Sequence, residues 1–336
     1  MNQLPANPQA ALRQLIDGYR ASQAIRVAAE LGLADLLADG PRHCEELASA
    51  TGTNPEALYR LLRALASAGV FTQVDAERFS LNPLAEYLRT GVTGSLRPWA
   101  ILSDEHHRTW TALRHSVTTG ETAFDHLHAT SVWEHRKRNP EQGRLFQEAM
   151  TATNALVVRS VLDAYAFSRF GVVVDVAGGH GSLIQAILAA NPNLQGILFD
   201  VPAAIREAAA SFERAGLTGR CQLLEGSFFE SVPPGGDAYI LSRILHDWTD
   251  EQCIAILKIC RQAMTRGATL LLIERVLDSV NPSAEATLTD IHMLVMTGGR
   301  ERTVAEFESL LVASGFGLAR AIPTRSAVHV VEAVAV

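Results

Sequence analysis

The run Asp175-Val-Ala177-Gly178-Gly179-His180-Gly181-Ser182 lies between a short apolar stretch, Val172–Val176, and a helical pattern, Leu183–Ala190. Strand, glycine-rich turn and helix together make an anion cradle. The turn visits positive φ, the backbone approaches a ligand closely, and free N–H groups face outward at the helix start. A phosphate or a carboxylate would suit it equally. Asp200 ends the next apolar run, Gly196–Phe199, and stands 25 residues beyond Asp175. An acid at that place can accept both hydroxyls of an adenosine ribose. A nicotinamide dinucleotide would use the same acid, but the GxGxxG spacing is not met; the pattern is Asp175-x-Ala177-x-Gly179-x-Gly181. A third segment, Leu241-Ser242-Arg243-Ile244-Leu245-His246-Asp247-Trp248, puts an imidazole just past another apolar run, Ala238–Leu241. That edge is where open α/β sheets carry their sites.

The elements that must hold these residues are legible from residue 171 onward. Continuous apolar runs at 172–176, 196–199, 221–224, 238–241 and 270–273 alternate with helical patterns at 183–190, 203–215 and 251–263. Continuous rather than alternating runs predict strands covered on both faces, hence a doubly wound, Rossmann-like α/β sheet. The Val-rich run 327–336 is expected to close it. Upstream, Ala24–Leu37 carries an apolar stripe at helical spacing, broken at Gly40-Pro41. A short helix at Cys44–Ala50 follows, then a third helix opened by Asn54 as N-cap and Pro55 at its first position. Strand-like pieces at 70–74 and 78–81 flank the turn Asp75-Ala76-Glu77. Three helices and a hairpin outline a winged helix. The third helix offers only Arg60 and Arg63 as cations, so dimerisation and walling of a site are expected of this module rather than DNA binding. The organisation read is 1–95 winged-helix-like, 96–168 a helical linker and pocket region, and 169–336 catalytic.

The chain has 336 residues, 48% hydrophobic and 19% charged, with a formal net charge of −7. This is a globular composition with no overall pull toward nucleic acid or anionic membrane. No apolar run is long enough to span a bilayer, and the opening stretch lacks a secretion signal, so a cytoplasmic address is expected. Cys44, Cys221, Cys253 and Cys260 lack metal-ligand spacing and read as buried thiols. His106, His107, Trp110, Phe124, His126, His128, Trp133 and His135 cluster in the helical middle, but without an HExxH-like pair; pocket lining or packing is expected, and no metal.

Taken together, the glycine turn, the later acid, Gly226-Ser227-Phe228-Phe229, the Leu-Ser-Arg-Ile-Leu-His-Asp-Trp segment and Gly299-Arg-Glu-Arg-Thr303 resemble the plant-type O-methyltransferase family. That family includes caffeate and hydroxyindole methyltransferases and bacterial antibiotic-tailoring enzymes. The resemblance implies S-adenosylmethionine as cofactor, a class I methyltransferase domain, and a homodimer built from the N-terminal helices. It places the methionine part of the cofactor on Ala177, Gly178, Gly179 and Gly181, the ribose on Asp200, the adenine on Ser227 and Phe228, and a further contact on Ser242. Ala177 stands where the family has glycine and requires negative φ to be tolerated. Ser227 replaces a frequent Asp, and Ser242 a plant Lys.

The resemblance also implies His246 as general base, flanked by Glu274 and Glu301. A phenol titrates near 10 and an ordinary histidine near 6.5, so the proton transfer is uphill by about 3.5 units, roughly 5 kcal/mol. A carboxylate on the far ring nitrogen narrows that gap. Phe146, Met150 and Asn154 share one helix face, and Asp290, Met293, Met296 and Thr297 another; Met150, Asn154, Asp290, Met293 and Thr297 are the candidates for lining an aromatic substrate pocket. The expected activity is O-methylation of a small aromatic or polycyclic metabolite. The alternatives are N-methylation of a phenazine-like heteroaromatic, a tailoring enzyme that binds the cofactor without methylating, and a winged-helix ligand-sensing regulator.

Overall fold

The structure is a computed structural model that describes residues 7–336; the part of the opening stretch before Asn7 lies outside it. Two compact units result. One comprises the chain up to Arg108 with Pro140–Thr153, the other Thr109–Asn139 with Asn154–Val336. The segment 96–168 is therefore divided between the units instead of forming a body of its own.

In the first unit, helices Pro8–Asp17, Tyr19–Glu30, Leu33–Leu36, Cys44–Thr51 and Pro55–Ser67 accompany a small sheet. Its strands are β1 (Arg42–His43), β2 (Thr72–Gln73) and β3 (Arg78–Ser80), antiparallel in the order β1-β3-β2. The stripe at 24–37 is not one helix. Gly32 adopts φ +65, which stops the first helix and re-aims the chain into a second short one. Asn54 Oδ1 accepts from Ala57 N–H at 3.0 Å, the cap its position called for. Leu33, Leu47, Leu62 and Phe79 are fully buried at the centre.

The second unit holds a seven-stranded sheet: β4 (Val172–Val176), β5 (Gln195–Asp200), β6 (Cys221–Glu225), β7 (Ala238–Ser242), β8 (Thr269–Arg275), β9 (Phe316–Pro323) and β10 (Val328–Ala335). The order is β6-β5-β4-β7-β8-β10-β9. The first five strands are parallel; β10 runs antiparallel to both β8 and β9. This is the class I methyltransferase arrangement. Val174, Val176, Ile197, Phe199, Tyr239, Leu241, Leu270 and Leu272 pack under helices Asp250–Ala263 and Val304–Ala313. The intervening Val173, Leu198, Ala238, Ile240, Leu271 and Ile273 pack against Ser182–Ala190 and Pro202–Arg214. Each of β4, β5, β7 and β8 thus buries both of its faces, which is why its sequence shows no polar alternation.

One expectation about the sheet changes. The Val-rich run is not the closing edge: β10 is inserted between β8 and β9, and β9, whose outward residues Ala319 and Arg320 are exposed, forms the edge. The mixed apolar and polar character of an edge strand hid β9 from the pattern. The four cysteines are buried and unpaired as disulfides. No helix of the described residues is long and apolar enough to cross a membrane.

Candidate active site

The strand order reverses between β4 and its two neighbours, β5 and β7, and the candidate residues gather at the carboxyl ends there. After β4 the chain turns sharply. Ala177 N–H donates to Phe199 O at 2.7 Å, Gly179 and Gly181 adopt φ +58 and +74, and helix Ser182–Ala190 starts without a side-chain cap. Gly178 is required for space: a Cβ there would lie 2.5 Å from Asp175 Oδ2 and 2.6 Å from Leu198 Cδ1. A Cβ on Gly181 would meet the Phe212 ring at 2.7 Å.

Ala177 departs from expectation. Its φ is +58, not negative, so its methyl group is held in the left-handed region. That conformation costs an L-residue about 1–2 kcal/mol. Glycine would remove this strain but add about 0.4–1 kcal/mol of unfolded-chain entropy. Ala177→Gly is therefore expected to stabilise the protein by about 0.5–1 kcal/mol in urea unfolding; a loss of stability would contradict strain at this position.

Asp200 ends β5 beside this turn. Its Oδ2 accepts from Gly179 N–H at 2.7 Å and its Oδ1 from Val201 N–H at 2.6 Å. Burial raises its pKa, against the pull of these two N–H groups and of His180. Asp175, directly beneath, is pushed up to about 7 by burial and by the Asp200 charge.

Beyond β6, Gly226 packs its Cα so close to Phe199 that a Cβ would stand 2.5 Å from the ring. Ser227 Oγ accepts from Phe229 N–H at 3.3 Å, fixing the turn that presents Phe228. Phe228 and Phe229 lie 6.0 and 4.8 Å from the Trp248 ring, which also stacks with Trp133 at 6.1 Å. The sequence offered no sign that these four rings would meet. Ser242 is the last residue of β7. Arg243 follows it with φ +56 and bonds Asn154 Oδ1, while Asn154 Nδ2 donates to Ser182 Oγ at 3.2 Å. Asn154 therefore ties the glycine-turn helix to the strand that leads to the imidazole.

His246 sits in a short turn, Leu245–Asp247, with 17% of its side chain exposed. Its Nδ1 lies 3.1 Å from Glu301 Oε1 and 4.0 Å from Glu274 Oε2. In the neutral ring, an Nδ1–H donating to Glu301 would leave the lone pair on Nε2. Both acids are almost wholly buried. Burial acts to lower the His246 pKa, but the Asp247 charge, the Glu301 hydrogen bond and Glu274 outweigh it and raise the value to about 9. Glu274, pushed up to about 7 chiefly by burial, accepts through Oε1 from Ile244 N–H at 2.9 Å and Leu245 N–H at 2.8 Å. It thus holds the turn as well as the field around the ring.

Several neighbours escaped the sequence. Gly299 lies against the turn; a Cβ on it would be 2.0 Å from His246 O. Arg302 is 1% exposed and bonded beneath the turn. His292 is buried enough for its pKa to fall to about 4, with the Arg136 and His246 charges adding to the effect. Trp110 Nε1–H donates to its Nδ1 at 2.9 Å. No pattern marked His292, because a lone histidine on an apolar helix carries no spacing signal.

The remaining pocket candidates divide. Asp290 Oδ1 accepts from Glu301 N–H at 2.8 Å, so it orients the partner of His246. Met293 and Met296 are buried, Met296 in a cluster with Phe124, Val132 and Val295. Thr297 Oγ1 donates to Met293 O at 3.0 Å and accepts from Gly299 N–H at 3.3 Å. Phe146 and Met150 lie in the part of helix Pro140–Ala164 that belongs to the first unit.

Comparison with known proteins gives a consistent outcome. A model of the O-methyltransferase domain matches residues 110–317, and one of the O-methyltransferase dimerisation domain matches 13–91. The chain is 45% identical over 323 residues to a phenazine O-methyltransferase of Lysobacter antibioticus, covering 96% of this chain and 95% of that one. It is 33% identical over 317 residues to a phenazine-1-carboxylate N-methyltransferase of Pseudomonas aeruginosa, with 93% and 92% covered. Among solved structures, an O-methyltransferase from neocarzinostatin biosynthesis, in complex with S-adenosylmethionine and 2-hydroxy-5-methyl naphthoic acid, superposes with a TM-score of 0.83. It is 35% identical, with 94% and 96% of the chains covered.

Proposed function

The chain belongs to the S-adenosylmethionine-dependent O-methyltransferase family, and we propose that it methylates a phenolic hydroxyl of a small aromatic or polycyclic molecule with His246 as general base. The observation that carries this reading is the His246–Glu301 pair at 3.1 Å inside a nest of buried acids.

The residues at the tips of β4 and β5 fit the cofactor. Gly178 and Gly226 let the two turns pack tightly onto Asp175, Leu198 and Phe199 where a Cβ would collide, and Asp200 presents a carboxylate already held by two N–H groups. Gly178, Gly179 and Gly181 would hold its methionine part, Asp200 its ribose, and Ser227 and Phe228 its adenine, with Ser242 as a further contact. When bound, S-adenosylmethionine supplies an electrophilic methyl group on a sulfonium.

The chain's own work is to place the hydroxyl and take its proton. With the imidazole raised to about 9, the mismatch with a phenol near 10 shrinks to about one unit, roughly 1.4 kcal/mol. Proton transfer to Nε2 then leaves an imidazolium whose charge Glu301, Glu274 and Asp247 already face. The rings of Phe229, Trp248 and Trp133 pack together, Trp248 two residues beyond His246, and flat apolar surface of this kind suits an aromatic acceptor.

N-methylation is the second reading, favoured by the Pseudomonas aeruginosa relative. A neutral ring nitrogen has no proton to lose, so an acid-supported imidazole would be idle there. The exposed Leu12, Leu15 and Ile16 on helix Pro8–Asp17, and Tyr19 at the start of helix Tyr19–Glu30, fit the homodimer that a dimerisation domain suggests, and the acidic net charge keeps nucleic acid outside this reading.

Two measurements test it together. Phenols, aminoarenes and heteroarenes are offered with methyl-labelled cofactor and the labelled atom is located; oxygen is expected. On the accepted phenol, kcat/KM should rise about tenfold per pH unit and level off near pH 9, because only the neutral imidazole accepts a proton. Glu301→Gln should move that midpoint down. Label on nitrogen, or a flat profile from pH 6 to 9, would overturn the assignment.

A further inference from the structure

The peptide of Leu245 is gripped from both sides. Glu274 takes its N–H at 2.8 Å, and Arg302 Nη1 donates to its C=O at 2.9 Å. Arg302 also reaches Trp248 O through Nη2 at 2.9 Å and Arg300 O through Nη1 at 3.2 Å. Its Nε and Nη2 donate to the same oxygen, Asp250 Oδ1, at 2.9 and 2.7 Å. The side chain is 1% exposed. Its own backbone is anchored in turn: Leu277 N–H donates to Arg302 O at 2.9 Å, just past the strand that bears Glu274.

A guanidinium presents five N–H donors in a rigid plane. Here they bridge two carbonyls that bracket His246, a carboxylate at the start of the next helix, and the segment that carries Glu301. No flexible ammonium could reach all of these at once. Burying a cation is costly unless its donors are met, so the arrangement persists only because each contact is made. Arg302 follows Glu301 directly, so one dipeptide serves the imidazole with its first side chain and the turn beneath it with its second.

We propose that Arg302 is the positioning residue for the base: by clamping Leu245 O, Trp248 O and Asp250 it fixes the turn that aims His246 at the acceptor hydroxyl. The inference rests on His246 acting as base. It adds that the required geometry is imposed from beneath by a residue remote from the acceptor.

The test uses the full chain. Arg302→Lys keeps the charge and loses the fork. Its kcat is expected to fall about 30- to 100-fold, the size of effect a displacement near 1 Å produces. Acceptor KM and cofactor affinity should stay within about threefold, since Arg302 is buried with its guanidinium turned to protein groups. In cofactor-free enzyme with labelled histidine, the His246 titration followed by NMR should move down by about one pH unit as the ring drifts from Glu301. The half-exposed partner gives a milder variant: Asp250→Asn should shift both readouts the same way, kcat by about fivefold, and the double variant should lose little beyond Arg302→Lys alone.

An unchanged His246 midpoint in both variants would overturn the inference, as would Arg302→Lys with normal kcat and a normal midpoint. If Arg302→Lys fails to fold, Asp250→Asn decides alone by the same midpoint. A lowered midpoint with unchanged kcat would sustain the hold on the imidazole and remove instead its role as base.

Discussion

His246→Ala is expected to lower kcat on a phenolic acceptor by about 100-fold or more, the usual span of general acid–base contributions. In the proposed mechanism the side chain is the proton acceptor, and its value near 9 would bring the transfer close to thermoneutral. Water, the remaining acceptor in the mutant, is a far weaker base. Cofactor affinity should hold within about threefold, because the residues proposed to bind the cofactor stand at the ends of β4, β5, β6 and β7 and not on the turn of His246. Removing the ring leaves Glu274, Glu301 and Asp247 facing one another, so a few tenths to about 1 kcal/mol of stability is expected to go with it. His246→Gln separates these effects, since it keeps a hydrogen-bonding group toward Glu301 and cannot accept a proton. Turnover within a few fold of wild type in both variants would sink the base assignment and favour proximity alone.

Asp200→Ala is expected to weaken cofactor binding by about 100-fold or more by calorimetry. Hydrogen bonds to a charged group contribute about 1.5–3 kcal/mol each, and a ribose offers two hydroxyls. Together that is at least about 3 kcal/mol, or more than two decades in Kd. The same change frees the N–H groups of Gly179 and Val201 that the carboxylate now occupies, loosening the turn itself. Asp200→Asn retains one accepting oxygen and should lose less. If Asp200→Ala bound the cofactor normally, the ribose would have to lie elsewhere and the mapping of the site onto β4 and β5 would fail.

Much of this was readable before any coordinates. Strands buried on two faces announce themselves as unbroken apolar runs, and a glycine turn followed by an acid one strand later has few uses. Other features were silent because they depend on neighbours remote in sequence. The positive φ of Ala177 belongs to a turn whose N–H bonds Phe199 O on the neighbouring strand, which composition cannot express. Arg302 reads as a surface cation because arginine usually is one; only the carbonyls brought over it show otherwise. Asp290 fell on a helix face beside Met293 and was assigned to a pocket, yet its partner is Glu301 N–H, eleven residues on. Gly32 broke a stripe whose periodicity continued across it by coincidence.

The insertion of β10 between β8 and β9 sets a timetable for synthesis. Emerging from the ribosome, β8 has β7 on one side and nothing on the other until the chain has passed β9, reversed, and returned with Val328–Ala335. Until then the strand bearing Glu274, paired to His329 in the finished sheet, is an open ladder able to recruit foreign strands. The five parallel strands are thus all synthesised before the strand bearing Glu274 can gain its second neighbour, and the last strand of the chain closes that open edge.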